Sequence, residues 1–186
     1  LQAIVSVAQN LMLGDAEFGL AGGAESMSRG PYIVPAIRWG QKMGDMSGTD
    51  MMVGALNCPF GTGHMGVTAE NVAEEHDITR EQMDAFAVDS QKRAIAAIEA
   101  GYFKDQIAPV EVKVKRDMVP FDTDEHPKAS TMESLAGLRT VFKKDGRVTA
   151  GNASGINDGA GALVLARADA AEAAGLKPRA RIIGYA

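Results

Sequence analysis

Val148-Thr149-Ala150-Gly151-Asn152-Ala153-Ser154-Gly155-Ile156-Asn157-Asp158-Gly159-Ala160-Gly161 mixes residues of minimal bulk with short polar side chains, and it runs straight into the apolar segment Ala162-Leu163-Val164-Leu165. Glycine and alanine let backbone approach a neighbour closely, while Thr149, Asn152, Ser154, Asn157 and Asp158 offer donors, acceptors and turn chemistry without volume. Two readings fit. The segment either lies flat against an extended ligand or forms a tight loop whose side chains satisfy its own backbone. It is not a serine-hydrolase elbow, because in Gly151-Asn152-Ala153-Ser154-Gly155 the serine stands one residue out of place for G-x-S-x-G.

Downstream, residues 161–167 read as a buried strand, 168–174 as a helix stopped by Gly175, and 179–185 as a further strand. Upstream, Asp145-Gly146 turns the chain into the segment, and Ser130 with Glu133 caps a short helix reaching Leu138. Val110, Val112 and Val114 alternate with charged residues as in a half-exposed strand, which Pro120 separates from the acidic loop Asp122-Thr123-Asp124-Glu125. That loop lacks the glycine and terminal glutamate of an EF-hand and reads as a solvated turn.

Two helices precede these, over 67–75 and 80–100, the second opened by a Thr79/Gln82 capping box and closed by Gly101. Its apolar stripe is Met83, Phe86, Ala87, Ala94 and Ile98, which leaves Asp84, Asp89, Lys92, Arg93 and Glu99 on solvated faces. Residues 28–66 change character, with glycine-rich turns, prolines, Trp39 and Met51-Met52, and suggest an irregular, partly helical insertion. At the start, Leu1, Ile4, Val5, Ala8, Leu11 and Met12 recur at helical spacing up to Gly14, and residues 17–21 read as a short buried strand closing on Gly22-Gly23. Helix alternating with strand points to an α/β class.

The chain has 186 residues, 46% of them hydrophobic, and a net charge of −5, so it can bury a core but presents no overall basic field for nucleic acid. A single cysteine cannot form an internal disulfide, and His64, His76 and His126 lack ligand-like spacing, so neither a disulfide framework nor a zinc site is expected and a cytoplasmic location is the default. No segment is long and apolar enough to span a membrane. The opening helix has no cap before it and the final strand no partner after it, which is the pattern of an internal fragment. No G-x-G-x-x-G or Walker sequence opens a helix.

Four blocks, taken together, resemble the thiolase family in order and spacing: Gly22-Gly23-Ala24-Glu25-Ser26-Met27-Ser28, Gly63-His64-Met65-Gly66-Val67-Thr68-Ala69-Glu70-Asn71, Ala100-Gly101-Tyr102-Phe103, and Thr149 through Gly161. The resemblance covers the whole chain and about half of a family-length protein. It implies part of a five-layered αβαβα fold: residues 1–27 and 157–178 from the N-terminal domain, 28–156 as an inserted loop domain, and 179–186 as the start of the C-terminal domain. It further implies an acyltransferase that cleaves 3-ketoacyl-CoA or condenses acetyl-CoA through an acyl-cysteine, with coenzyme A or acyl-CoA as substrate and no tightly bound cofactor. A homodimer or homotetramer is the implied assembly. The competing reading is a non-catalytic thiolase-like protein that binds acyl-CoA or lipid.

The family's nucleophile sits in a Cys-Gly-Ser-Gly-type turn ahead of a helix like the one opening at Leu1, so no catalytic residue is expected within these residues. Cys58, flanked by Asn57, Pro59 and Phe60, does not match that turn and has no basic neighbour to acidify it. The binding residues carry over better. His64 and Met65 match the pair beside the thioester and pantetheine arm, with Leu56 nearby. Ser134, Phe142, Ala150, Ser154 and Ile156 match positions lining the coenzyme A channel, Ser154 at the pantetheine amide and Phe142 towards the adenine. Lys128 falls near a position where relatives often carry arginine, in a loop one residue shorter than the common pattern, and offers a point charge to the phosphates.

Overall fold

The computed structural model describes residues 1–185. In chain order its first elements are α1 (Gln2–Leu13), β1 (Phe18–Glu25), a 3-10 turn (Met27–Arg29), β2 (Tyr32–Ile33), a second 3-10 turn (Pro35–Trp39), β3 (Thr49–Asp50) and α2 (Met51–Ala55). There follow β4 (Asn57–Cys58), β5 (Gly63–His64), α3 (Met65–Glu75), α4 (Arg80–Glu99), β6 (Val110–Val114), β7 (Asp117–Phe121), α5 (Met132–Ala136), β8 (Gly159–Ala166) and α6 (Ala168–Ala173). Helices and strands are thus mixed, as the sequence pattern predicts. Two compact units emerge, one from residues 1–29 together with the stretch from Asn157 onward, the other from Gly30–Ile156.

In the first unit β1 and β8 pair antiparallel from Phe18↔Ala166 to Glu25↔Gly159. The strand expected over 17–21 therefore continues through Gly22-Gly23, because β8 offers a partner to every residue as far as Glu25. It is also less buried than expected: on β1 only Ala21 is fully covered, and β8 is exposed or half-buried throughout. A two-stranded ladder has few neighbours, and α1 packs on only part of it. That packing is close, since a Cβ on Gly19 would overlap Val7 of α1. α1 ends where Gly14, at φ 82°, takes the left-handed conformation and donates back to the last turn. α6 stops before Gly175, as predicted, but residues 179–185 form no strand. A strand needs a second backbone to take up its N–H and C=O groups, and among the described residues none lies alongside. Ala186, the last residue of the 179–186 stretch expected to start the C-terminal domain, lies outside the described residues.

In the second unit residues 30–66 are indeed irregular, broken into two-residue strand pairs, a 3-10 turn and the short α2, which Asp50 caps by accepting the Met52 N–H at 2.9 Å. The long α4 carries both halves of its capping box, with Thr79 N–H donating to Gln82 Oε1 at 2.8 Å and Gln82 N–H to Thr79 Oγ1 at 3.2 Å. Met83, Ala87, Ala94 and Ile98 are half-buried, as the apolar stripe predicts, but two positions on the helix differ from expectation. Asp84, expected on a solvated face, is only 2% exposed, whereas Phe86, expected in the core, is 78% exposed. Asp84 shares its side of the helix with the covered Val88, Gln91 and Ile95, and Phe86 lies on the far side from it.

β6 and β7 form a hairpin whose two-residue turn puts Lys115 in the left-handed region at φ 57°. Pro120, expected to terminate the strand region, sits within β7 opposite Glu111. Counting outward from the turn, that pair is non-hydrogen-bonded, so the missing N–H removes no ladder bond. α5 begins one residue later than expected and ends at Ala136, short of Leu138, because Thr131 and Ser134, not Ser130 and Glu133, form its capping box. Among the described residues no helix is long and apolar enough to cross a membrane.

Candidate functional site

The β4–β5 hairpin pairs Asn57 with His64, and the Met65 N–H donates to the Leu56 carbonyl at 2.8 Å, so the backbone brings Leu56, His64 and Met65 to the start of α3. His64 is the N-cap of that helix: its Nδ1 accepts the Gly66 N–H at 3.0 Å, which assigns the ring proton to Nε2 and fixes the ring plane. This is also why α3 starts at Met65 rather than Val67, where the sequence reading began it. The imidazole stacks on the Phe142 ring with centroids 4.7 Å apart and planes at 23°. Gly66 makes room for that stack, since a Cβ there would overlap the Phe142 ring. Four of the nine expected binding residues, Leu56, His64, Met65 and Phe142, are thereby gathered in one place. His64, expected beside the thioester and pantetheine arm, and Phe142, expected towards the adenine, are thus in direct contact.

The Val148–Gly161 stretch divides between its two readings. Its first part is a self-satisfied loop. Val148 and Thr149 are buried, the Val141 N–H donates to Val148 O at 3.1 Å, and Thr149 bridges Thr140. Asn152 Oδ1 accepts the Thr149 N–H at 2.8 Å, and Thr149 Oγ1 accepts the Gly151 N–H at 3.2 Å. The later residues Ser154 and Ile156 are exposed, and Ala150 lines an open cleft of about 480 Å³ with Leu138, Arg139, Thr140 and Val141.

Two buried carboxylates that the sequence reading left without a role hold this loop. Glu70 of α3, 3% exposed, accepts N–H groups of Arg147 and Val148 at 2.8 Å, and a Cβ on Gly146 would strike its carboxylate. The Arg147 guanidinium in turn donates to the carbonyls of Ala73 and, at 2.7 Å, Ile78, while Lys143 pairs with Glu74 at 2.6 Å. The Lys143 ammonium holds the Glu74 carboxyl below the usual carboxylate range. Asp84 of α4 receives Asn152 Nδ2 at 2.8 Å and Arg80 Nε at 2.7 Å. The four-residue spacing of Arg80 and Asp84 allows them to pair on one helix face, but the exposed Asp89–Arg93 pair has the same spacing, so it does not mark the buried one. Nothing local marks Glu70.

Ser134 is exposed and engaged in its helix cap, its Oγ accepting the Thr131 N–H at 3.0 Å and donating to Thr131 O at 2.8 Å. Lys128 is tied to α4 through its own N–H, which donates to Gln91 Oε1 at 3.0 Å, and its side chain faces solvent. Cys58, half-buried in β4, is acidified after all: the Phe60 amide, then the Thr62 hydroxyl and amide, hold its thiol below the ordinary value without any basic residue. In the first unit Asp158 accepts the Ser28 N–H at 2.9 Å and the Ser28 hydroxyl, with the Ser26 hydroxyl at 3.5 Å.

A family model described as the thiolase N-terminal domain matches residues 1–169, and the chain belongs to the thiolase family. It is 57% identical to a beta-ketothiolase of Cupriavidus necator over 187 residues, covering 100% of this chain and 48% of that protein. The crystal structure of acetyl-CoA acetyltransferase from Bacillus anthracis is similar with a TM-score of 0.89 at 47% identity, over 95% of this chain and 45% of that one. The human mitochondrial 3-ketoacyl-CoA thiolase in complex with CoA gives 0.84 at 44% identity, over 95% and 44%. The α/β class and the thiolase fold that the sequence implies are confirmed. The chain spans about half the length of the curated relatives it matches.

Proposed function

We propose that these residues form the coenzyme A-holding part of an acyltransferase that cleaves 3-ketoacyl-CoA thiolytically, or condenses acetyl-CoA, through an acyl-cysteine. The observation that carries this reading is the Leu56, His64, Met65 and Phe142 cluster, a polar ring edge set among soft apolar groups in a chain of this family. Such a surface suits the pantetheine arm, where amides alternate with methylenes. Ser134, Ala150, Ser154 and Ile156 continue the contact with small polar and apolar groups, and Lys128 supplies charge for the phosphates. The relative solved with CoA supports coenzyme A as the ligand class.

In this reading residues 1–27 and 157–178 belong to the N-terminal thiolase domain, 28–156 to its loop domain, and 179–186 to the start of the C-terminal domain. The division into compact units after Arg29 and after Ile156 supports it. The complete polypeptide works as a homodimer or homotetramer in the cytoplasm. The acyl-carrying thiolate is not Cys58, which closes strand β4 of a hairpin and does not stand ahead of a helix. Thiolysis of acetoacetyl-CoA by the complete polypeptide tests this reading: turnover is expected, and Cys58→Ser is expected to retain at least about half of it. Coenzyme A binding without turnover would make the protein a non-catalytic acyl-CoA binder, and loss of turnover in Cys58→Ser would return the nucleophile to this residue.

A further inference from the structure

We infer that Asp84 and Asn152 are positioning residues that fix the spacing between two walls of the coenzyme A groove, an inference that rests on the reading of Ser134, Ala150 and Ser154 as ligand contacts. One wall is α5 and the other is the loop containing Ala150 and Ser154. A single ion pair, between the half-buried Arg80 and the buried Asp84, reaches both. Arg80 uses one nitrogen on Asp84 and another on the carbonyls of Leu135 and Leu138, at 2.6 and 3.2 Å, at the C-terminal end of α5. Asp84 spends its second oxygen on Asn152, at 2.8 Å.

Asn152 then passes that constraint into the loop backbone. Its amide nitrogen also donates to Arg147 O at 3.1 Å, and its oxygen takes the Thr149 N–H at 2.8 Å, so the backbone leading into Ala150 is tied to a side chain two residues beyond it. Gly151 lets the loop press against Leu135 and Leu138, since a Cβ there would overlap both. A carboxylate 2% exposed is costly unless it is paired, and here one partner, Asn152, belongs to the loop wall while the other, Arg80, carries the contact on to α5. None of these groups touches the ligand in this reading. They act by placing Ala150 and Ser154, whose contacts are made equally before and during the reaction, so their loss raises KM and leaves kcat.

The test uses Asn152→Ala in the complete polypeptide, which leaves the Arg80–Asp84 pair intact, with Asp84→Asn as the second variant. For Asn152→Ala the KM for coenzyme A in thiolysis of acetoacetyl-CoA is expected to rise about tenfold or more, with kcat within about threefold of the parent. Asp84→Asn, which keeps an acceptor for Asn152 but discharges the pair, is expected to give a smaller rise. An unchanged KM, or a parallel loss of kcat and folded protein in Asn152→Ala, would mark the network as scaffold alone and overturn the inference. A parent protein that neither binds nor turns over coenzyme A would instead overturn the proposed function, which separates the two failures.

Discussion

Gly66 shows how one missing side chain shapes the site. Its hydrogen leaves room for the Phe142 ring, which in turn holds His64 flat against it. Gly66→Ala is expected to expel Phe142 and to cost about 1–3 kcal/mol, as overpacking does, measured as a lower denaturation midpoint with a matching loss of coenzyme A affinity. A fully stable variant with normal affinity would show that the stack has no role. His64 and Met65 were legible in the sequence because they stand together in a distinctive block. Asp84 was not, because a charged helix residue is ordinarily solvated, and Asp89, paired with Arg93 at the same four-residue spacing on α4, is indeed exposed. The acidity of Cys58 escapes the sequence for a similar reason: acidification by hairpin amides leaves no mark in composition.

Elements whose signals are local were legible, and those that depend on a partner were not. The capping box of α4 and the stops at Gly14, Gly101 and Gly175 lie within a few residues of the ends they define. The length of β1 was set by β8, more than a hundred residues away, and residues 179–185 lack any strand to pair with among the described residues. The joint between the 3-10 turn at Met27–Arg29 and the entry to β8 rests on Asp158. Its carboxyl is held below the usual range by the Ser28 hydroxyl first, then the Ser28 amide and the Ser26 hydroxyl. A carboxyl depressed in the folded state binds fewer protons there, so its contribution is present above the ordinary aspartate range and disappears as pH falls through the folded value. The stability difference between the parent and Asp158→Asn is therefore expected to be widest near neutrality and to close in acid, followed by denaturant midpoints across pH. A difference independent of pH would contradict the clamp.

At the scale of the molecule, the α/β class and the family were readable from four short blocks, whereas the support beneath the candidate groove was not. Glu70 and Asp84 meet their loop partners across about seventy residues of chain, and no local pattern announces such a contact. The central claim is that the loop reaching Ser154 and Ile156 holds the pantetheine arm of coenzyme A. Ser154 is exposed, so a large side chain there fills the groove without disturbing the buried loop beside it. The most direct measurement is titration calorimetry of coenzyme A against the complete polypeptide and its Ser154→Trp variant. At least about a tenfold loss of affinity is expected, with an unchanged melting temperature. Equal affinity in the two proteins would contradict the account.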